Sequence, residues 1–273
     1  MDEQPLVSVI IPAWNAEKRI DRCLRDVTAQ TVTAQEILVV DDGSSDGTWE
    51  RILAWQQQDP RIVPLRQENG GVSSARNLGL AHARGIWVRF VDVDDSVPAD
   101  SLAVLLERAR QAEADLVLGG FTEVRGPIRR CRNLLHRGDA MDCSLFLHLF
   151  SARPNAFFYG VVWNKLFRRS LLEAHACRFD ESFSWGEDFA FLCDTLCWVR
   201  RVAFTPRSVY DYHLSPKGLT WRMALKCLRH PIEEIKLKLT LYRRYQALFA
   251  HHGCSEKYRR RMLRYLWGTT VGD

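Results

Sequence analysis

No stretch of about 18 or more apolar residues occurs in the 273-residue chain, which excludes a membrane-spanning helix. The glycine-rich phosphate loops GxxxxGK[ST] and GxGxxG are also missing, which argues against ATP or NAD bound in those ways. Eight cysteines (Cys23, Cys131, Cys143, Cys177, Cys193, Cys197, Cys227 and Cys254) are scattered with no CxxC pair, which argues against a zinc site. Cys193 and Cys197 stand one helical turn apart, a spacing that core packing explains. The start, Met1-Asp2-Glu3-Gln4-Pro5, has neither the cationic nor the apolar segment of a secretory signal. The expectation is therefore a cytoplasmic chain with reduced thiols. There is no internal repeat, no low-complexity segment and no nucleic-acid reader motif, so a nucleic-acid partner is not expected.

What is present is a sufficient core, at 47% apolar residues, and a segregated charge. Residues 221–273 hold 12 Lys/Arg against 4 Asp/Glu, whereas the rest holds 26 against 29. A nearly neutral body thus carries a strongly basic tail.

The body up to about Gly119 alternates strand and helix. Val7 to Ile11 is a β-branched run closed by Pro12, and Asn15 is placed to cap the helix after it. In that helix Ile20, Cys23, Leu24 and Val27 form one apolar stripe. Glu36 to Val40 reads as the second strand, Arg61 to Leu65 as the third and Trp87 to Val91 as the fourth. Trp49, Ile52 and Leu53 mark one intervening helix, and Val72 to Arg84 forms another. Such alternation predicts an α/β fold with a mostly parallel central sheet and helices on both faces.

In such sheets ligands bind outside the carboxyl ends of the strands. Three loops emerge there, carrying Pro12-Ala13-Trp14-Asn15, Asp41-Asp42, and Asp92-Val93-Asp94-Asp95. The last packs three carboxylates into four positions, which repel one another unless a cation holds them. A divalent metal completed by ligand phosphates fits, although an Asp-rich solvated turn has the same composition. A carboxylate in the second loop can accept from a uracil imide or a ribose hydroxyl.

In order and spacing, Val7 to Asn15, Val39-Val40-Asp41-Asp42-Gly43-Ser44, Glu68 to Asn77 and Asp92-Val93-Asp94-Asp95 resemble family 2 glycosyltransferases with a GT-A (Rossmann-like) fold. Trp163-Asn164-Lys165-Leu166-Phe167 and Trp185-Gly186-Glu187-Asp188 look like the second half of the bacterial surface-polysaccharide branch. The resemblance implies inverting transfer of a hexosyl or N-acetylhexosaminyl group from a UDP-sugar, with Mn²⁺ or Mg²⁺, to a glycan or lipid-linked glycan. It divides the chain into a nucleotide-sugar half (1–119), an acceptor and catalytic half (120–220) and a basic amphipathic helical tail (221–273).

By position, the resemblance assigns Asp41 to the uracil edge and Pro12 and Trp14 to the nucleotide pocket. Asp92 and Asp94 become the DxD pair at ribose, metal and diphosphate, with Asp95 extending it as a metal candidate. Asp42 is read as capping the adjacent turn. Arg76 is a candidate for uridine or phosphate, with an ion pair to a nearby acid as the alternative. Asp188, with Glu187 as second choice, matches the base that takes the acceptor proton; the plain alternative is that both acids favour a helix N-terminus. Trp163, Asn164 and Lys165 border the acceptor side, with Trp163 as ordinary core the alternative to an aromatic platform for a sugar ring. His213 is a metal or diphosphate contact or a structural residue.

Two features depart from the pattern. Gly126 to Arg137 is a basic insertion, either an acceptor-side flap or a solvated hairpin. In the tail, Ile232, Ile235, Leu239, Tyr242, Tyr245, Leu248 and Phe249 recur at helical spacing among lysines and arginines. Docking on an anionic membrane surface is expected, with packing on the catalytic domain as the competitor. A silent nucleotide-sugar-binding scaffold would retain the upstream aspartates without needing Asp188. A nucleotidyltransferase would need a glycine-rich phosphate loop where Pro12-Ala13-Trp14-Asn15 stands.

Overall fold

A computed structural model describes residues 4–133, 140–183, 185–214 and 231–267. The first half runs β1 (Val7–Ala13), α1 (Ile20–Thr28), β2 (Gln35–Asp42), α2 (Thr48–Gln58), β3 (Ile62–Gln67), α3 (Val72–His82), β4 (Trp87–Phe90) and α4 (Ser101–Ala112). It continues through β5 (Leu116–Arg125), β6 (Ile128–Arg132), β7 (Ala140–Asp142), α5 (Cys143–Ala152), α6 (Phe157–Gly160), β8 (Lys165–Arg168) and α7 (Arg169–Ala174). Then come α8 (Glu187–Leu196), β9 (Arg201–His213) and the tail helices α9 (Pro231–His251), α10 (Ser255–Met262) and α11 (Arg264–Trp267).

The strands form one sheet in the order β3-β2-β1-β4-β8-β5-β9-β7, with β6 paired to β5. β1 to β4 are mutually parallel, β5 and β9 run the same way, and β6, β7 and β8 run against them. Within this mostly parallel sheet, β8 is the antiparallel stave joining the two halves. The chain steps outward from β1 to β3, then returns past β1 to β4 and onward to β5. With right-handed crossovers, that reversal sets α3 on the face opposite α1 and α2. Helix α4 lies on the α1 face, its Ser101 Oγ bonded to Arg89 of β4 and to Gln30 just past α1. The crevice between β1 and β4 is therefore the topological switch point.

The predicted apolar positions supply the core: Val7, Ile10, Ile11, Ile20, Leu24, Ile37 and Val39 are all buried. Strands extend beyond the apolar runs, since β2 takes in Asp41 and Asp42, both paired to β3. Asn15 does not cap α1, which begins five residues later at Ile20. Its backbone adopts φ 47°, and its side-chain Oδ1 accepts from Ser45 N at 3.0 Å while its own backbone N–H donates to Ser44 Oγ at 2.9 Å. It ties the first loop to the second instead. The basic insertion is a hairpin of β5 and β6 turning at Gly126-Pro127, with Arg129 held by Asp211 at 2.8 Å; its residues 134–137 lie outside the described residues.

In the tail, Leu241, Tyr245, Leu248, Phe249, Tyr258, Met262 and Tyr265 are buried. Tyr245 meets Phe150 at 5.1 Å between ring centroids, and Tyr265 stacks on Phe189 of α8 at 4.7 Å. Gly186, immediately before α8, has φ 73°, and a Cβ there would come within 2.6 Å of Leu241 Cδ1. The inner face of α9 thus closes over the start of α8, and packing rather than a membrane takes up Tyr242, Tyr245, Leu248 and Phe249. Ile232, Ile235 and Leu239 stay outside, at 69%, 59% and 42% exposure. Residues 221–230 and 268–273 of the expected tail lie outside the described residues.

A tail helix built into the core makes a specific demand on stability. Leu241→Ala should cost about 2–5 kcal/mol in denaturant unfolding. A loss below about 1 kcal/mol would mean that α9 contributes little to the fold.

Candidate active site

The carboxyl ends of β1, β2 and β4 bring the predicted loops together. Asp41 is fully buried at the end of β2 and accepts from Ser44 N at 3.3 Å through Oδ1. Its Oδ2 has Arg66 Nε at 3.0 Å, yet this buried oxygen has no hydrogen bond. Arg66 also lies over the Trp49 ring, 5.1 Å from its centroid. Asp42, also buried, accepts from Gly70 N at 2.8 Å, Gly71 N at 2.9 Å and Gln67 Nε2 at 2.7 Å. It fastens the loop before α3. At Gly43 (φ 68°) the two loops approach so closely that a Cβ would lie 2.7 Å from Asn69 N. Pro12 is buried within β1, whereas Trp14 is 53% exposed just beyond it.

The acidic loop after β4 splits by side-chain direction. Asp92 and Asp94 remain partly open to solvent, with Asp92 bonded to Arg76 Nη2 at 2.8 Å and Asp94 to Arg19 Nη1 at 2.9 Å. Arg22 also donates to the backbone oxygen of Asp94. Burial and the neighbouring Asp92 raise the pKa of Asp94 while Arg19 opposes them. Asp95 turns inward instead of joining the metal candidates. Its oxygens accept from Tyr210 OH at 2.9 Å and His213 N at 2.8 Å, and burial raises its pKa well above the usual carboxylate value. Tyr210 OH accepts in turn from Asp92 N at 3.0 Å. The ring of His213 lies beside this loop, with Nε2 3.2 Å from Ser96 Oγ, and burial lowers its pKa.

On the far side of the cleft, Glu187 and Asp188 open α8, and the structure brings both to Arg76. Arg76 Nη1 donates to Asp188 Oδ1 at 2.6 Å and to Glu187 Oε1 at 3.2 Å. Arg76 is thus ion-paired with three acids, Asp92, Glu187 and Asp188. Asp188 Oδ2 accepts from Val162 N at 3.2 Å. Burial pushes the Asp188 carboxyl up to about 7, against the pull of Arg76 and with help from Glu187 and Asp92.

Trp163, Asn164 and Lys165 are not brought to the cleft surface. Trp163 stacks on Tyr210 at 4.3 Å and on Tyr212 at 5.5 Å, and Trp163, Asn164 and Lys165 are each buried. Lys165 Nζ donates to Phe158 O at 3.1 Å, Asn164 Oδ1 at 2.8 Å and Val161 O. Burial drives its pKa well down, with Asp188 opposing. Its oxygen acceptors nonetheless match the three N–H donors of an ammonium group.

A profile of the Glycosyl transferase family 2 matches residues 8–205, well over half the chain. The chain belongs to glycosyltransferase family 2. The Bacillus subtilis (strain 168) glycosyltransferase EpsJ is 32% identical over 251 residues, covering 88% of this chain and 71% of that protein. Succinoglycan biosynthesis protein ExoO of Rhizobium meliloti (strain 1021) is 32% identical over 221 residues, covering 78% and 62%. The GT-A fold agrees: Staphylococcus aureus TarS 1–349 in complex with UDP superposes with TM-score 0.64 at 23% identity, over 89% of this chain and 72% of that one. The Pyrobaculum calidifontis mannosyltransferase PcManGT in complex with GDP-Man and Mn²⁺ gives TM-score 0.60 at 20% identity, over 97% and 86%.

Among the described residues no three His, Cys, Asp or Glu side chains converge as a ready-made cation cage. The oxygen donors that are open belong to Asp92 and Asp94. That set suits Mg²⁺ or Mn²⁺ held by one or two carboxylates and completed by phosphate oxygens. Tyr210, Asn77, Arg19, Arg22 and Arg66 went without roles in the sequence reading of this family 2 member. Asn77 alone lay within a quoted motif; it bonds reciprocally with Phe179, Nδ2 to O at 2.9 Å and N to Oδ1 at 2.8 Å.

Proposed function

We propose that this family 2 glycosyltransferase moves a sugar, with inversion, from a UDP-sugar to a hydroxyl of a lipid-linked glycan during surface polysaccharide synthesis. The observation that carries the reading is that Asp92, of the acidic loop after β4, faces Glu187 and Asp188 across one guanidinium, that of Arg76. Asp41 is the proposed reader of uracil: its buried oxygen without a hydrogen bond is an acceptor that an imide N–H would satisfy. Pro12 and Trp14 line the base pocket in this reading. Asp92 and Asp94 hold Mn²⁺ or Mg²⁺ with the diphosphate, and the metal when bound offsets charge on the leaving group. His213 stands beside that loop as a diphosphate contact.

Asp188 is the proposed base. The acceptor oxygen bonds to the anomeric carbon as the carbon–oxygen bond to UDP breaks, and the acceptor proton passes to Asp188. A carboxylate poised near neutrality is well matched to that transfer. Polysaccharide synthesis is supported by the name of the relative ExoO, and nucleotide-sugar use by the UDP and GDP-Man complexes of structural neighbours. Among the described residues no helix is long and apolar enough to cross a membrane. The proposed site of action is the inner face of the plasma membrane. There α9 offers Ile232, Ile235, Lys236, Leu239 and Arg243 on one exposed face, at spacings that align along a helix.

Thermal melting with UDP, GDP, ADP and CMP, each with and without Mn²⁺, tests the donor reading. UDP with Mn²⁺ at about 100 times its dissociation constant should stabilise by roughly 2.7 kcal/mol; a shift with GDP alone would overturn the uridine assignment. Asp188→Asn should slow UDP release from UDP-glucose, UDP-galactose and UDP-N-acetylglucosamine by about 10²–10⁴-fold and leave UDP affinity within a few-fold. In the wild type that release should climb as pH rises through about 7 and then level, because only the deprotonated carboxylate serves as base. A flat profile, or an active Asp188→Asn, would remove Asp188 from the role. Vesicles containing phosphatidylglycerol should retain the protein at low salt and lose it on Ile235→Glu; retention indifferent to anionic lipid would rule out membrane docking.

A further inference from the structure

Arg76 projects from α3, yet each acid it holds comes from another element. Asp92 follows β4, and Glu187 and Asp188 open α8 more than a hundred residues later in the chain. The side chain is 3% exposed, and its guanidinium lies over the Phe179 ring, 5.2 Å from the centroid. Phe179 itself packs between Phe90, at 5.2 Å, and Phe191 of α8, at 4.1 Å. One residue along, Asn77 bonds both the N–H and the carbonyl of Phe179, so α3 is stapled to the segment that leads into α8. Backbone and ring together leave the guanidinium little freedom. One amino group faces the donor loop and the other faces the start of α8.

We propose that Arg76 is a positioning residue that sets the distance between the donor loop and the catalytic base, gripping Asp92 with Nη2 and Asp188 with Nη1. The inference rests on the reading of Asp188 as base. It goes beyond that reading by assigning the register between the two halves of the site to one side chain. A planar fork can hold two partners in fixed directions, whereas the point charge of a lysine cannot. Catalysis is sensitive to that register, since misplacement of a reacting group by about 1 Å costs on the order of 10²-fold. A merely structural ion pair would leave the chemistry untouched once the fold is intact.

The test compares the full chain with its Arg76→Lys, Arg76→Met and Asp188→Asn variants. Thermal melting reports folding, and ¹³C NMR of carboxyl-labelled aspartates follows the Asp188 signal, identified by its loss in Asp188→Asn. UDP release from the three UDP-sugars with Mn²⁺ separates kcat from KM. We expect the Asp188 midpoint near 7 in the wild type, shifted upward in Arg76→Met, and between the two in Arg76→Lys. Arg76→Lys should melt close to the wild type and keep its donor KM within a few-fold while kcat falls at least about tenfold. An Arg76→Lys variant with native kcat and an unmoved Asp188 midpoint, beside an inactive Asp188→Asn, would overturn this proposal alone. Full turnover in Asp188→Asn would overturn the base reading and this proposal with it. Should Arg76→Met fail to fold, Arg76→Lys decides the matter.

Discussion

Carboxylates crowded at the edge of a sheet repel one another, and the organisation of this site follows from how they are neutralised. Arg76 meets Asp92, Glu187 and Asp188 at once from a nearly dry position. Removing one member of such a buried set leaves an uncompensated charge, which is far more costly than an exposed ion pair. Arg66 beside Asp41 and Arg19 beside Asp94 repeat the device nearer the surface, where solvent weakens it. The acids are thus held apart and aimed before any ligand arrives. Preorganised charge of this kind acts without reorganisation during a reaction.

A second layer of structure keeps the acidic loop in place. Tyr210 on β9 receives the Asp92 N–H and donates to Asp95, while Trp163 stacks on the Tyr210 ring. A strand contributed late in the chain thereby fixes the loop that follows β4. Asp95 is best understood as part of this frame. Its desolvated carboxyl is held by a phenol and a backbone amide, which satisfies both oxygens.

The tail belongs to the same frame. Leu241 fills the space above Gly186, and the aromatic residues of α9 and α11 cover Phe189, one residue from the proposed base. Because one helix turns tyrosines inward and isoleucines outward, the tail can brace α8 and still present an apolar, basic face. The competing explanations for its amphipathic pattern describe two sides of one element.

Much of this was legible along the chain. Runs of mostly apolar residues determined where β1, β2 and β4 lie, because a strand covered on both faces is predominantly apolar. Pro12, Asp41 and Asp92 could therefore be placed at one edge of the sheet from strand ends alone. Family 2 motifs supplied Asp188, which no periodicity singles out from other acids at helix starts. Asn15, Asp95, Trp163, Asn164 and Lys165 were legible as positions but not as directions. Whether a side chain faces a cleft or the interior depends on partners far away in sequence, such as Ser44, Tyr210 and the carbonyl oxygens around Lys165. The sequence by itself determined the elements, their order and the acids at their ends. Only the tertiary structure decided which acids share a cation, because Arg76 meets Asp188 across 112 residues of chain that local pattern cannot fold in advance.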